Sequence, residues 1–200
     1  IIILWVSYFQ VAPVFAQGTL EKVFEKSFDI GMDGAVEVIH RRGPLRIERI
    51  NGSTAKMKVV LKAKKGTKEA FQKLIDNFDL DVSHNGGQLK VETNMNIKNY
   101  RSVNGRTSIQ FQNGDKVKGL NDISADFLLQ IPKVKTLYAE NKYENIYLPK
   151  MEGDVKIKQY NADVIGDNIE GRFDVAIKYG KVKVGYVGDS DLNIYDGALE

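Results

Sequence analysis

Asp154-Val155-Lys156-Ile157, Asp174-Val175-Ala176-Ile177 and Asp191-Leu192-Asn193-Ile194 share one pattern: Asp, apolar, variable, Ile. A tyrosine follows each within three residues, at Tyr160, Tyr179 and Tyr195. The starts lie 20 and 17 residues apart. A strand-sized unit returning at that interval predicts stacked coils, each burying what its neighbour exposes. Val155 and Ile157, Val175 and Ile177, and Leu192 and Ile194 stand two apart, on one face of a strand. Stacking therefore predicts an Ile ladder of Ile157, Ile177 and Ile194 beside a Val/Leu ladder. Burying each such side chain is worth ~1.5–3 kcal/mol. Lys181-Val182-Lys183-Val184 supplies a further side of a coil, and Gly153, Gly171, Gly180, Gly188 and Gly197 mark corners. The predicted fold class is all-β: a β-solenoid or β-helix-like stack of short strands with one short amphipathic helix.

Upstream the same alternation continues. Residues 23–30, 35–39, 45–50 and 57–63 have apolar residues at every second position, punctuated by Gly34, Gly43-Pro44 and Asn51-Gly52; Asn-Gly is a strong hairpin signal. The helix is predicted over residues 68–78, where Phe71, Leu74, Ile75 and Phe78 fall on one face and Thr67 is the N-cap. Residues 94–122 are rich in Asn, Gly and Lys and read as a variable loop or insertion, with a hairpin around residues 108–117 as the alternative. The chain thus divides into a leader remnant (1–16), a β-rich part with the helix (17–93), the variable segment (94–122) and the repeats (123–200), the last continuous with the second.

The leader reading rests on residues 1–16, which are uncharged and mostly apolar, with Val14 and Ala16 at the small positions of a signal-peptidase site. The run is too short and interrupted to span a bilayer. The expected location is therefore exported: periplasm, outer-membrane surface or secreted, with no transmembrane span once the leader is removed. The 18 Gly against 4 Pro suit many tight turns, and the lack of Cys excludes disulfides, thiolate metal sites and a Cys nucleophile.

The net charge of +3 is unevenly placed. Between Arg41 and Lys68 there are ten basic residues and one acid, whereas residues 140–200 carry eight basic residues and twelve acids. In Lys56-Met57-Lys58-Val59-Val60-Leu61-Lys62-Ala63-Lys64 the lysines mostly alternate with apolar residues. That predicts a strand with Met57, Val59, Leu61 and Ala63 buried and the lysines in water. An exported chain also sets nucleic acid aside as a partner.

Gly43-Pro44-Leu45-Arg46-Ile47, a Lys-rich strand, a short helix, a long variable segment, Leu129-Gln130-Ile131-Pro132 and then Gly-Asp-Val-x-Ile and Tyr-Gly-x-Val-x-Val units follow one another. In this order they resemble the bacterial putative-adhesin family, exported β-strand-repeat domains of unknown function, over about residues 28–200. The resemblance implies a β-solenoid in the cell envelope or beyond it, and it carries no catalytic residue.

The chain is poor in chemistry-bearing motifs. His40 and His84 are the only histidines and neither has ligand spacing around it. Nucleophile-elbow, phosphate-loop and dinucleotide motifs are missing. Asp189, Asp191, Asn193 and Glu200 fit positions of a calcium loop, but Ile194 stands where its turn needs Gly. No catalytic residue, metal site or cofactor is therefore assigned. Asp154, Asp174 and Asp191 could align as a carboxylate column, but each reads better as ending a turn and bonding nearby backbone N–H groups. Tyr143, Tyr160, Tyr179 and Tyr195, with Arg41 and Arg42, form the candidate ligand-facing surface. The expected function is an exported, non-enzymatic envelope protein, an adhesin or a surface-binding or structural element. A glycan or an envelope protein is its partner class, and the oligomeric state is left open. The alternative is a polysaccharide-binding or polysaccharide-cleaving enzyme on a β-helix, with Arg41, Arg42, Arg46 and Arg49 holding an anionic substrate.

Overall fold

The computed structural model describes residues 18–103 and 106–200. The predicted leader, residues 1–16, lies outside the described residues. The chain runs through β1 (Thr19–Asp29), β2 (Gly34–Ile39), β3 (Leu45–Arg49) and β4 (Thr54–Lys64) to α1 (Lys68–Asp76). β5 (Asp79–Asn85), β6 (Gln88–Asn94), β7 (Ile97–Val103), β8 (Arg106–Phe111) and β9 (Lys116–Lys118) follow. Then come β10 (Asn121–Ile131), β11 (Val134–Asn141), β12 (Ile146–Leu148), β13 (Asp154–Tyr160) and β14 (Val164–Gly166). β15 (Phe173–Lys178), β16 (Lys181–Lys183), β17 (Ser190–Tyr195) and β18 (Ala198–Leu199) complete the series. The fold is all-β with one short helix.

Two open, mixed sheets carry most of these strands. One has the order β1-β4-β10-β3-β12-β14-β16-β18, the other β17-β15-β13-β11-β2-β6-β5. From β11 onward the chain changes sheet at every strand, and from β13 each strand pairs parallel with the one two before it. β2 and β3 form a turn of the same kind, docked parallel on β11 and β12. The molecule therefore contains five successive two-strand turns, the first separated from the second in sequence by residues 50–133.

That excursion builds the other end. β4 pairs antiparallel with both β1 and β10, and β5 pairs antiparallel with β6. β4 alternates as expected: Ala55, Met57, Val59, Leu61 and Ala63 are buried while Lys56, Lys58 and Lys64 are exposed. It is an interior strand, so its lysines solvate the outer face of the sheet rather than guard an edge. In α1, the Thr67 hydroxyl accepts from the Ala70 N–H at 3.1 Å, and Phe71 and Leu74 are buried. The helix packs on β1 and β9. Residues 94–122, expected as a loop or insertion, contain the three-stranded antiparallel sheet β7-β8-β9. Ile109, Phe111, Val117 and Leu120 anchor it in the core. Apolar side chains scattered over so polar a stretch are a weak sequence signal, yet enough to bury one face.

The stacking register differs from the one the Asp-apolar-x-Ile string predicts. Ile177 pairs with Ile194, but Ile157 pairs with Val175. The interior columns are Leu137–Val155–Phe173 and Ala139–Ile157–Val175–Leu192. All three isoleucines face the same interior, but Ile157 stands one column away from the other two. The string slips by two residues in one coil because Arg172 and Phe173 intervene between Gly171 and Asp174, whereas Asp154 directly follows Gly153. A shift of two preserves the inward and outward alternation.

Corners set the true period. A Cβ at Gly153 would stand 2.3 Å from the Val134 carbonyl oxygen, one at Gly171 2.5 Å from that of Gly153, and one at Gly188 2.8 Å from that of Glu170. Gly180 and Gly197 meet Ala162 and Gly180 in the same way at another corner, each at 2.1 Å. Backbone of one coil lies directly against backbone of the next, and only glycine fits. Asx side chains close the remaining gaps: Asp154 accepts from the Arg172 N–H at 3.0 Å, Asp163 from that of Lys181 at 2.9 Å, and Asn168 from that of Tyr186 at 2.9 Å. Each reaches 18 residues ahead, one coil on. Asp154 thus serves a turn, as the sequence implies, but in the neighbouring coil.

Gly171→Ala is expected to cost about 2 kcal/mol, in the range for a group forced into closed packing. Urea unfolding of the two proteins measures it, and an unchanged midpoint would refute the corner argument.

Candidate functional site

Two adjacent rows cross the second sheet near its corner. The inner row begins where the His40 Nδ1 meets the Thr93 hydroxyl at 2.6 Å, and the His40 N–H donates to the Glu140 carbonyl at 2.8 Å. It continues through Asn141, Gln159, Ile177 and Ile194, which pair in register. Thr93, His40, Asn141 and Gln159 are all buried. Corner carbonyls satisfy most of their polar atoms. Asn141 Nδ2 donates to the Gly43 and Glu144 carbonyls at 3.0 and 2.8 Å, and Gln159 Nε2 donates to Glu144 at 2.9 Å. The exceptions among the described residues are His40 Nε2 and Gln159 Oε1, which are buried without a hydrogen-bond partner. Burial lowers the His40 pKa to about 4, opposed in part by the Ala125 and Gly43 carbonyls and the Asp126 charge. The imidazole, edge-on to the Phe127 ring at 5.5 Å, is a neutral core group.

One residue further along each strand lies the outer row. Tyr160, Lys178 and Tyr195 are in register, and Lys142, the residue that follows the last paired position of β11, lines the same groove as Tyr160 and Lys178. Lysine and tyrosine alternate from coil to coil. Tyr179 follows Lys178 at the corner, with its ring edge-on to Tyr160 at 5.7 Å and to Tyr195 at 6.0 Å. The Lys178 ammonium lies 5.6, 4.8 and 5.1 Å from the centroids of Tyr160, Tyr179 and Tyr195. Tyr179 and Tyr195 are 42% and 60% exposed, so this aromatic nest faces water. A groove of about 480 Å³ runs along the strip, with Arg41 at one end and Tyr195 at the other.

The backbone at Tyr179 is left-handed, φ 59°. The equivalent corner positions hold Asn161 and Asp196, at φ 63° and 54°. Asn and Asp tolerate this conformation; a bulky side chain there costs ~1–2 kcal/mol. The ring at position 179 is therefore held against a backbone preference.

The structure brings together three of the four expected tyrosines. Tyr143, 46% exposed, instead sits by Lys142, whose ammonium is 5.4 Å from its ring. The arginine cluster disperses. Arg41 pairs with Glu92 at 3.5 Å and shares the groove, and Arg42 stacks on Tyr100 at 5.1 Å. Arg46 stacks on Tyr147 at 4.5 Å and Arg49 pairs with Glu152 at 3.4 Å, both from β3 in the other sheet. Asp174 aligns with Asp191, but Asp154 falls in another row, so the three do not form a column. Glu200 ion-pairs with Lys181 and Lys183 on the first sheet, away from Asp191 and Asn193 on β17. Lys142 and Lys178 escape sequence reasoning. Their signal is the true period, since Lys142, Tyr160, Lys178 and Tyr195 stand 18, 18 and 17 residues apart.

A larger concavity of about 590 Å³ lies over the opposite ends of the same strands. Its charged lining residues are three of each sign, and Lys90 pairs with Glu37 at 2.8 Å and Arg172 with Asp174 at 2.8 Å. Tyr138 donates to Glu140 at 2.9 Å, and burial, followed by that bond, raises its pKa to about 12. The tyrosine–lysine groove differs in its balance, with Arg41, Lys142, Lys158 and Lys178 against Glu140, and Lys142 and Lys178 have no carboxylate partner among the described residues. Among the described residues no cluster of His, Asp and Glu could hold a metal ion, and no helix is long and apolar enough to cross a membrane.

No family model and no curated protein matches the chain. Among solved structures it is similar to a putative cell adhesion protein from Clostridium sporogenes, with 8% identity, 90% of this chain and 97% of that one covered, and a TM-score of 0.47. A putative adhesin from Parabacteroides merdae shows 12% identity over 89% of this chain and 80% of that one, with a TM-score of 0.31. One from Bacteroides fragilis shows 7% identity over 89% and 96%, with a TM-score of 0.26.

His40 makes stability depend on pH. Its folded pKa of about 4 lies below the ordinary 6.5, so the unfolded chain binds the proton more readily. The contribution is complete above pH 6.5 and is lost as pH falls through about 4. The loss amounts to roughly 3 kcal/mol. Urea midpoints of wild type and His40→Leu at pH 7 and 4.5 check this. The variant should lose less stability between the two, and equal losses would refute it.

Proposed function

We propose that the chain is an exported, non-catalytic β-solenoid of the bacterial cell envelope, an adhesin-like binding element that docks a glycan on its tyrosine–lysine strip. The solenoid reading is supported by the five two-strand turns and the glycine corners. Export is supported by the apolar stretch closing on Val14 and Ala16. The observation that carries the binding role is Tyr179. A corner suited to Asn or Asp holds an exposed aromatic ring instead, at a backbone cost. Strain retained at an exposed position points to use of the side chain placed there. Flat, amphipathic tyrosine rings offer apolar faces to sugar C–H groups and hydroxyls to their polar edges.

Tyr179→Asn is expected to change stability by less than about 1 kcal/mol, since relief of the corner offsets the lost ring contacts. The same substitution should abolish glycan retention on an array of bacterial surface glycans. An array left blank by the wild-type protein, or unsaturated product released from an acidic polysaccharide, would overturn the assignment.

A further inference from the structure

Charge along the strip narrows the ligand. Arg41, Lys142 and Lys178 lie in one groove, and among the described residues only Arg41 of these has a carboxylate partner. Lys178 is held in place by three rings, so its ammonium is a positioned charge rather than a mobile one. Lys158 is compensated by Glu140 at 3.3 Å, leaving the outer row as the cationic line. Its spacing is fixed by the backbone. Neighbouring strands lie about 4.8 Å apart, so Asn141 and Ile177, in register through Gln159, are separated by about 9.6 Å, and Lys142, Tyr160 and Lys178 are the residues that follow these three. That is close to the advance of one disaccharide in an extended β-linked glycan. Alternating ring and cation match a chain whose sugars are alternately neutral and acidic.

Building on the docking reading, we propose that the strip binds an acidic polysaccharide carrying one carboxylate or sulfate per disaccharide, laid along the stacking direction across the coils. Tyr160 and Tyr195 face the neutral sugars, and Lys142 and Lys178 receive the acidic groups. An anion there forms charge-assisted hydrogen bonds that a neutral glycan cannot. A long polymer gains further from repeated engagement.

The test is affinity electrophoresis of the full chain through gels containing hyaluronan (one carboxylate per disaccharide), alginate (one per sugar) or hydroxyethyl cellulose (none). Hyaluronan should retard the protein most, and added salt should weaken the retardation as it screens the exposed charges. Lys142→Gln/Lys178→Gln, which keeps side-chain length and removes charge, should weaken hyaluronan binding about tenfold, the scale of two lost charge-assisted contacts. Unchanged binding by that variant, equal or stronger retention by alginate, or retention by the neutral polymer overturns the charge-spacing proposal. If Tyr179→Asn abolishes neutral-polymer retention, the docking reading stands while this proposal falls. If no polymer retards the protein and the glycan array is also blank, both fall.

Discussion

Everything in the repeat region depends on backbone lying against backbone at the corners. Gly153, Gly171 and Gly188 form one such line and Gly180 and Gly197 another, each with a carbonyl of the preceding coil where a side chain would begin. Parallel strands need a wide crossover to return to the same sheet, and here the second sheet provides it. A coil can close in 17 or 18 residues only if its corners are this tight. The Asx side chains at 154, 163 and 168 act at the same places, accepting the N–H groups that the next coil would otherwise leave unpaired. Steric closure and polar satisfaction thus specify the same period.

The period decides which side chains become neighbours. Inside, it joins Thr93, His40, Asn141 and Gln159 into a polar row that gives way to Ile177 and Ile194. A buried polar row is costly unless its atoms find partners. Here it lies beside a corner, where the carbonyls of Gly43 and Glu144 point inward and need donors. The amides bind the corner loop as much as they fill the core. Outside, one residue later, the same register brings Tyr160, Lys178 and Tyr195 into line, with Lys142 in the same groove. The polar row therefore fixes the corner that carries Lys142, beside the strand ends that display Tyr160, Lys178 and Tyr195.

The alternation of β4, the Thr67 cap, the corner glycines and the outward tyrosines can all be read from local pattern, because each depends on residues close in sequence. The coil register cannot be read from the Asp-apolar-x-Ile string. A strand looks the same after a slip of two, and only the glycine positions reveal that Ile157 belongs with Val175. Within residues 94–122 the β8–β9 hairpin matches the alternative reading around residues 108–117, but the third strand and the core anchoring were hidden because Ile109, Phe111, Val117 and Leu120 are scattered among polar residues. The role of Lys178 was hidden for a different reason. Its three aromatic neighbours lie one residue, 17 and 18 residues away, and they converge only when the coils stack.

Tyr179 separates what the fold requires from what the surface adds. Asn161 and Asp196 occupy the matching corners and suffice for the turn, so the stack has no structural need for an aromatic ring there. Placing one costs backbone energy that edge-on contacts to Tyr160 and Tyr195 recover only in part, since both contacts are open to water. What the ring does provide is the middle member of a three-ring nest around one ammonium. Without it, Lys178 would keep its register but lose the ring nearest its charge, at 4.8 Å. The fold supplies a straight row at strand spacing, and the departure at position 179 turns that row into a surface with a fixed charge at its centre.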